Sequence, residues 1–250
     1  MLITSVDNKK IKKYMSLKTS KGRYNEQLFL IEGMHLCEEA YKMGYLVDLL
    51  VLAGEDIFFA YDKEITYVTE TVLKKISNLT NYSKIIGVCQ IKEKNMITGN
   101  HLLLLDDIAD PGNLGTIIRS SKAFSVDTII LSHNSVDIYN DKVLRSTEGM
   151  LFHMNIIYGD LKEIIPILKK ENYLILGTNV RNGVDIKEIQ CDKYALIMGN
   201  EGHGIHDDIA KMCDKNIYIK MNKECESLNV AVATSILLYE LARKLWITLF

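Results

Sequence analysis

From residue 101 onward the chain alternates apolar strands with helices, and this alternation narrows its fold more than any other feature. Residues 101–108 form a near-continuous apolar run that ends in acids, the pattern of a strand buried in a parallel sheet. Leu114, Ile117, Ile118 and Ser121 then follow helical spacing. Further strands are expected at 127–132, 154–158, 173–178, 194–199 and 216–220, with helices at 140–147, 160–171 and 205–212. A terminal helix carries Val230, Ala233, Leu237, Leu241 and Leu245 on one stripe. The pattern predicts an α/β domain, a parallel sheet covered by helices on both sides. In an ordinary dinucleotide-binding sheet a GxGxxG signature follows the first strand. Here none does, and the glycine-rich turn comes late, at 199–204.

The strongest boundary is Lys92-Glu93-Lys94-Asn95-Met96-Ile97-Thr98-Gly99-Asn100, which is polar, contains glycine and separates two apolar segments. It divides the chain into a domain at 1–94, a linker at 95–100 and a second domain at 101–250. The first domain reads as helices around 8–18, 33–43 and 70–78, with strands near 27–31, 47–52, 66–68 and 85–91. A length of 250 residues, 48% of them hydrophobic, suffices for this division with a core in each part.

Net charge is −2, so the chain as a whole exerts no pull toward nucleic acid. Its distribution is less even. Lys9, Lys10, Lys12, Lys13, Lys18, Lys21 and Arg23 crowd the first segment against Asp7 alone. Such a run is either a solvated helix face or, in an RNA-binding protein, a set of phosphate contacts. The five cysteines form no CxxC pair, which points to reduced thiols and a cytoplasmic protein. No apolar run reaches membrane-spanning length, and the basic start is not followed by the apolar stretch of a secretory signal.

Three stretches carry chemistry. The first is Asp110-Pro111-Gly112-Asn113-Leu114-Gly115-Thr116-Ile117-Ile118-Arg119. The second is Leu196-Ile197-Met198-Gly199-Asn200-Glu201-Gly202-His203-Gly204. The third is Glu226-Ser227-Leu228-Asn229-Val230-Ala231-Val232-Ala233. The third opens an apolar helix, with Ser227 read as its cap and Asn229 in the first turn. Taken singly, each has an ordinary structural explanation: a surface helix charge, a tight turn, a capped core helix. Competing chemistries find less support. His203 and His206 lack an apparent third ligand, so no metal site is expected. Ser227 has no nucleophile elbow, and no Walker A sequence is present.

Together and in this order, the three stretches resemble the motifs of the SpoU (TrmH-type) RNA 2′-O-ribose methyltransferases, in the knotted SPOUT superfamily. The resemblance covers about residues 101–245. It implies a trefoil knot near 175–235, which periodicity alone cannot reveal. It also implies that S-adenosylmethionine is the methyl donor, used without metal. The implied catalytic set is Asn113, Arg119, Glu201, Ser227 and Asn229, and the implied cofactor pocket is Thr178, Asn179, Gly199, Asn200, Gly202, Ile219, Met221 and Leu228. Arginine stays protonated in proteins, so Arg119 fits a phosphate clamp better than a base. Lys9, Lys10, Lys12, Lys13 and Arg23 become the RNA-binding candidates.

The first domain resembles the small substrate-binding domain of many SpoU enzymes, related to ribosomal proteins that bind kinked RNA, on the stretch from Arg23-Tyr24-Asn25 to Ile31-Glu32-Gly33. That pattern favours ribosomal over transfer RNA. Three positions depart from the family pattern: Ser125 stands where glycine is usual, and Asn155 and Lys220 where proline is common. A homodimer is implied, for which the terminal helix offers Leu237, Leu238, Leu241, Leu245 and Trp246. Two rivals remain: a catalytically silent RNA-binding protein of the same fold, and a SPOUT enzyme acting on a base nitrogen or on tRNA.

Overall fold

A computed structural model describes residues 2–92, 95–179, 183–222 and 224–249, with side chains through residue 243. The chain divides into two compact units, Met1–Glu93 with Asp137–His153, and Lys94–Val136 with Met154–Phe250. The two units part between residues 93 and 94, which lie outside the described residues and within the polar stretch 92–100. Residues 137–153 pack with the first unit, whereas the sequence alternation places them in the second domain.

The first unit contains β1 (Leu2–Ile3), α1 (Lys9–Ser16), α2 (Ser20–Glu26), β2 (Leu28–Glu32), α3 (Met34–Lys42), β3 (Leu46–Leu52), β4 (Thr66–Val68), α4 (Glu70–Ile76) and β5 (Ile85–Gln90). Its mixed five-stranded sheet runs β1-β4-β3-β5-β2. Asn8 caps α1 by accepting the Lys10 N–H, which sets the register that turns Ile11 and Tyr14 into the core. The same register faces most of the lysines outward. It does not do so for Lys10, whose Nζ lies 2.7 Å from Asp48 Oδ2 and 2.8 Å from Thr66 Oγ1. Asp48 also accepts the buried Tyr14 hydroxyl at 2.6 Å, so Lys10 completes an internal network.

Arg23 is likewise internal. It is buried, donates to the Leu17 carbonyl at 3.1 Å and pairs with Asp137 at 2.5 Å. The expectation that Arg23 contacts RNA is thereby corrected: the guanidinium is spent holding residues 137–153 to the first unit. Helix α2 escaped the sequence pattern because Ser20-Lys21-Gly22 reads as a turn. Gly22 is required there by close packing, since a Cβ would lie 1.9 Å from the Ser16 carbonyl oxygen.

The second unit contains β6 (His101–Leu105), α5 (Pro111–Ala123) and β7 (Thr128–Leu131). After α6 (Asp141–Ser146), which belongs to the first unit, come β8 (Asn155–Tyr158), α7 (Leu161–Lys170), β9 (Leu174–Thr178), β10 (Val184–Asp185), β11 (Tyr194–Met198), α8 (Asp207–Ala210), β12 (Lys215–Tyr218) and α9 (Val230–Leu249). The sheet runs β10-β12-β9-β11-β6-β7-β8, every neighbouring pair parallel. The α/β expectation holds. Leu102, Leu104, Ala195 and Ile197 pack under α7 and α8. The alternate residues Leu103, Leu105, Leu196 and Met198 turn to the opposite face and are buried as well. Helices α5 and α9 pack on one another, joined by a 2.7 Å hydrogen bond between Ser120 and Ser235.

Two departures from the family pattern have structural consequences. Asn155 donates from Nδ2 to the Met96 carbonyl and to Thr128 Oγ1, both at 2.9 Å, stitching residues 96–98 onto the sheet in a way proline cannot. Ser125 follows α5 with φ of 58°, the left-handed conformation that glycine adopts without strain. Ser125→Gly is therefore expected to stabilise the protein by about 1 kcal/mol. Urea unfolding checks this, and an unchanged or lower midpoint refutes it. Nothing in the structure explains Lys220.

Candidate active site

The carboxyl ends of β9, β11 and β12 open onto a cavity of about 490 Å³. Ligands of open parallel sheets bind at such strand ends, beyond the last paired residues. Thr178 and Asn179 leave β9, residues 199–205 leave β11, and Tyr218 and Ile219 leave β12. Met221 and residues 227–230 line the side nearest the start of α9. The eight residues expected for the cofactor all line this one cavity, together with Glu201, Ser227 and Asn229. Asn113 and Arg119 are not among its lining residues.

The loop after β11 is a closed backbone hairpin. Asn200 and Gly204 exchange both backbone hydrogen bonds at 3.0 Å. Gly204 has φ of 74°, and a Cβ on Gly199 would sit 2.2 Å from the Gly204 carbonyl carbon. Glycine is thus the residue that lets this loop fold back on itself. Asn200 anchors it, donating to the Asp107 carbonyl at 2.7 Å and accepting the Gly202 N–H at 2.8 Å. Thr178 Oγ1 donates to the Ile197 carbonyl at 3.1 Å.

A polar chain joins the three motifs. Helix α9 begins at Val230, so its cap is Asn229 rather than the expected Ser227, which lies two residues upstream. Asn229 Oδ1 accepts the Ala231 N–H at 2.9 Å and the Val232 N–H at 3.3 Å. Only an oxygen can accept these, so Asn229 Nδ2 must point away and donate to Asn113 Oδ1, at 2.9 Å. Asn113 Nδ2 is then left to donate to Glu201 Oε1, also at 2.9 Å. The helix cap thereby fixes the orientation of both amides and ends on a carboxylate at the cavity. Asn113 is itself placed by Asp110, whose Oδ1 accepts the Asn113 N–H at 2.8 Å at the start of α5.

Arg119 lies elsewhere on α5. Six residues of helix rotate a side chain by about 120° net, so Arg119 and Asn113 face different directions. Arg119 is exposed, and no hydrogen bond or ion pair holds it among the described residues.

The structure also gathers residues that the motifs left aside. β6 and β11 are neighbours in register, Leu105 opposite Met198. The acids that follow β6 therefore meet the loop that follows β11. Asp106 is buried and accepts both the His206 N–H at 2.8 Å and its ring Nδ1–H at 3.0 Å. This hydrogen bond, reinforced by the Asp106 charge, raises the His206 pKa above its ordinary value. The only signal of this pair in the sequence was an apolar strand ending in acids.

The stretch at residues 100–239 matches the model of the SpoU rRNA methylase family, and residues 8–87 match that of an MRM3-like substrate binding domain. The chain belongs to the SpoU rRNA methylase family. It is 37% identical over 243 residues to the 23S rRNA (guanosine(2553)-2′-O)-methyltransferase RlmP of Bacillus subtilis, covering 96% of this chain and 98% of the relative. Among solved structures, an AdoMet-bound rRNA methyltransferase from Sinorhizobium meliloti superposes with a TM-score of 0.84 at 26% identity, covering 98% of this chain and 97% of the other. An RNA 2′-O ribose methyltransferase superposes with a TM-score of 0.83 at 27% identity, covering 98% of this chain and all (100%) of that one.

Proposed function

We propose that this chain is an RNA 2′-O-ribose methyltransferase that takes its methyl group from S-adenosylmethionine and acts on 23S ribosomal RNA, at a guanosine. The observation that carries the reading is the glycine-lined cavity joined to the chain Asn229–Asn113–Glu201. The substrate follows from the name of the Bacillus subtilis relative, similar over nearly the whole of both chains. Intact polar residues in all three motifs weigh against a silent RNA-binding protein, and the same relative weighs against base or tRNA methylation.

The cavity suits a nucleoside sulfonium. Gly202, where an added Cβ would meet only Asn200 Oδ1 at 3.4 Å, leaves bare backbone at the cavity, and Ile219, Met221 and Leu228 supply apolar lining. When bound, S-adenosylmethionine supplies an electrophilic methyl group. The work of the protein is then positioning. Asn113 holds one Glu201 oxygen and leaves the other for a donor on the ligand. Arg119, exposed and permanently charged, clamps an RNA phosphate and stabilises negative charge developing on the ribose oxygen. The knot implied by the family, formed near 175–235, would hold the cavity loops in place.

The reading includes a cytoplasmic homodimer. Among the described residues no helix is long and apolar enough to cross a membrane. The dimer surface differs from the expected one. Leu237, Leu238 and Leu241 are core, at 1%, 0% and 4% exposure. The exposed apolar row of α9 is Val232, Ile236 and Tyr239, at 48%, 37% and 44%. The side chains of Leu245 and Trp246 lie outside the described residues. Tyr239 touches Phe124 at the end of α5, so this row adjoins the helix that carries Arg119. Arg119 then serves the partner's cavity. Light scattering should give twice the 28.5 kDa chain mass, and a fully active monomer would remove the dimer.

The basic surface narrows to Lys9, Lys12 and Lys13, because Lys10 is committed to Asp48. Lys12 and Lys13 pair with Asp7 and Glu26 at exposed sites, where such pairs are weak enough to exchange for phosphate. Reversing the charge of these three should reduce the salt dependence of RNA binding by about two to three phosphate contacts, leaving cofactor affinity alone. An unchanged salt slope would return them to the role of a solvated helix face.

The function is tested by incubating the protein with labelled S-adenosylmethionine and unmodified 23S rRNA in chelator. Ribose-specific mapping should find one 2′-O-methylguanosine. Label entering transfer RNA or a base nitrogen instead would overturn the substrate or the chemistry.

A further inference from the structure

We propose that Asp107, His203 and His206 form a binding site for one divalent transition-metal ion, which clamps the loop after β11 over the cavity. One ligand atom from each of the three lies within 4.8 Å of the others. They come from two loops that the β6–β11 pairing brings together, a juxtaposition that the histidine spacing in the sequence does not contain.

The ligand chemistry is built in depth. His206 donates its Nδ1–H to buried Asp106, which leaves Nε2 as the free lone pair, 4.0 Å from Asp107 Oδ2. A carboxylate behind a histidine is the support that orients metal-bound imidazoles and raises their basicity. The His203 and His206 rings lie 4.4 Å apart between centroids. Ligand atoms around a shared ion sit about 3–4 Å apart, so exposed side chains need shift by less than an ångström or so. Asp107 is held for the purpose. Its N–H donates to Ser132 Oγ at 2.8 Å, its carbonyl accepts Asn200 Nδ2, and its φ is 60°, an unusual value for a residue with a side chain.

Two imidazoles and one carboxylate select zinc, nickel or cobalt over magnesium. Methyl transfer has no need of the ion. Its effect is on the loop: His203 lines the cavity and Asp107 is anchored to the end of β6. An ion bridging the two restrains residues 199–206 before the methyl donor arrives.

The test titrates Co²⁺ into the untagged, metal-stripped full chain. One ion per chain is expected, with visible d–d bands and no near-ultraviolet thiolate band, which separates this site from exposed Cys225. His203→Gln and His206→Gln, both at exposed positions, should abolish the bands. Asp106→Asn, which removes no ligand, should weaken binding about 10–100-fold. No saturable binding, a thiolate band, or binding indifferent to both histidine variants would overturn the site. The clamp rests on the methyl-donor reading and has its own arm. S-adenosylhomocysteine affinity should rise when Ni²⁺ is present, and by linkage Ni²⁺ affinity should rise by the same factor. An unchanged affinity overturns the clamp. Failure of S-adenosylhomocysteine to bind both in chelator and with Ni²⁺ counts against the methyl-donor reading alone.

Discussion

Arg119→Ala is expected to reduce methyl transfer by about 10²–10³-fold or more, the loss seen when a charge-stabilising donor is removed from a transition state. The same variant should bind S-adenosylhomocysteine within a few-fold of the parent. The separation follows from placement. Arg119 is exposed, has no hydrogen-bond or ion-pair partner among the described residues, and is absent from the lining of the cavity. With no partner to lose among the described residues, the variant is expected to keep the parent's stability. Under the proposed function it acts on RNA, at the cavity of a partner chain. Mixing Arg119→Ala chains with chains disabled by Asn113→Ala tests that sharing, because some mixed dimers regain one complete site. Near-normal single-turnover rates for Arg119→Ala would end its catalytic role. Loss in the single variants without recovery on mixing would confine each site to one chain.

The parallel-sheet architecture was legible because strands buried on both faces leave continuous apolar runs, and 101–108 is such a run. What the pattern could not contain is the spatial order of the strands. β11 lies between β9 and β6, so a segment nearly a hundred residues downstream becomes the neighbour of the first strand of the unit. The polar chain depends on this. Asn113 to Glu201 spans 88 residues of sequence and Asn113 to Asn229 spans 116, and no local periodicity links them. The motif resemblance supplied the residues but not their connections, and the local capping signal placed the cap of α9 at Ser227. A serine before an apolar run is a sound cap signal, yet Asn229 is the residue that sits one position before the helix.

Charge was the least legible feature. Seven basic residues in the first segment looked equivalent, but burial separates them. Arg23 and Lys10 are drawn inward by Asp137 and Asp48, acids from distant parts of the sequence. The same limit applies to Leu237, Leu238 and Leu241. An apolar stripe shows that a helix is covered, and only the packed structure shows that its own unit covers it.

Gly199→Ala is expected to be the most damaging single substitution at the cavity. The added methyl would lie 2.2 Å from both the Gly204 carbonyl carbon and the Ile205 nitrogen. Backbone atoms cannot swing aside as a side chain can, so the hairpin must open. Opening it breaks the two Asn200–Gly204 backbone hydrogen bonds, at about 1 kcal/mol each, with overpacking strain of about 1–3 kcal/mol where it fails to open fully. The melting temperature should fall by several degrees. Affinity for S-adenosylhomocysteine should fall by more than about 100-fold, because the displaced backbone carries the cavity wall. Gly202→Ala is the matched comparison. A Cβ there meets only Asn200 Oδ1, at 3.4 Å, so this variant should melt with the parent. Any affinity it loses then reports a ligand contact rather than a collapsed loop. Calorimetry on the two variants side by side decides the matter. If Gly199→Ala melts with the parent and binds within a few-fold of it, the close backbone approach at residue 199 is not what shapes the cavity.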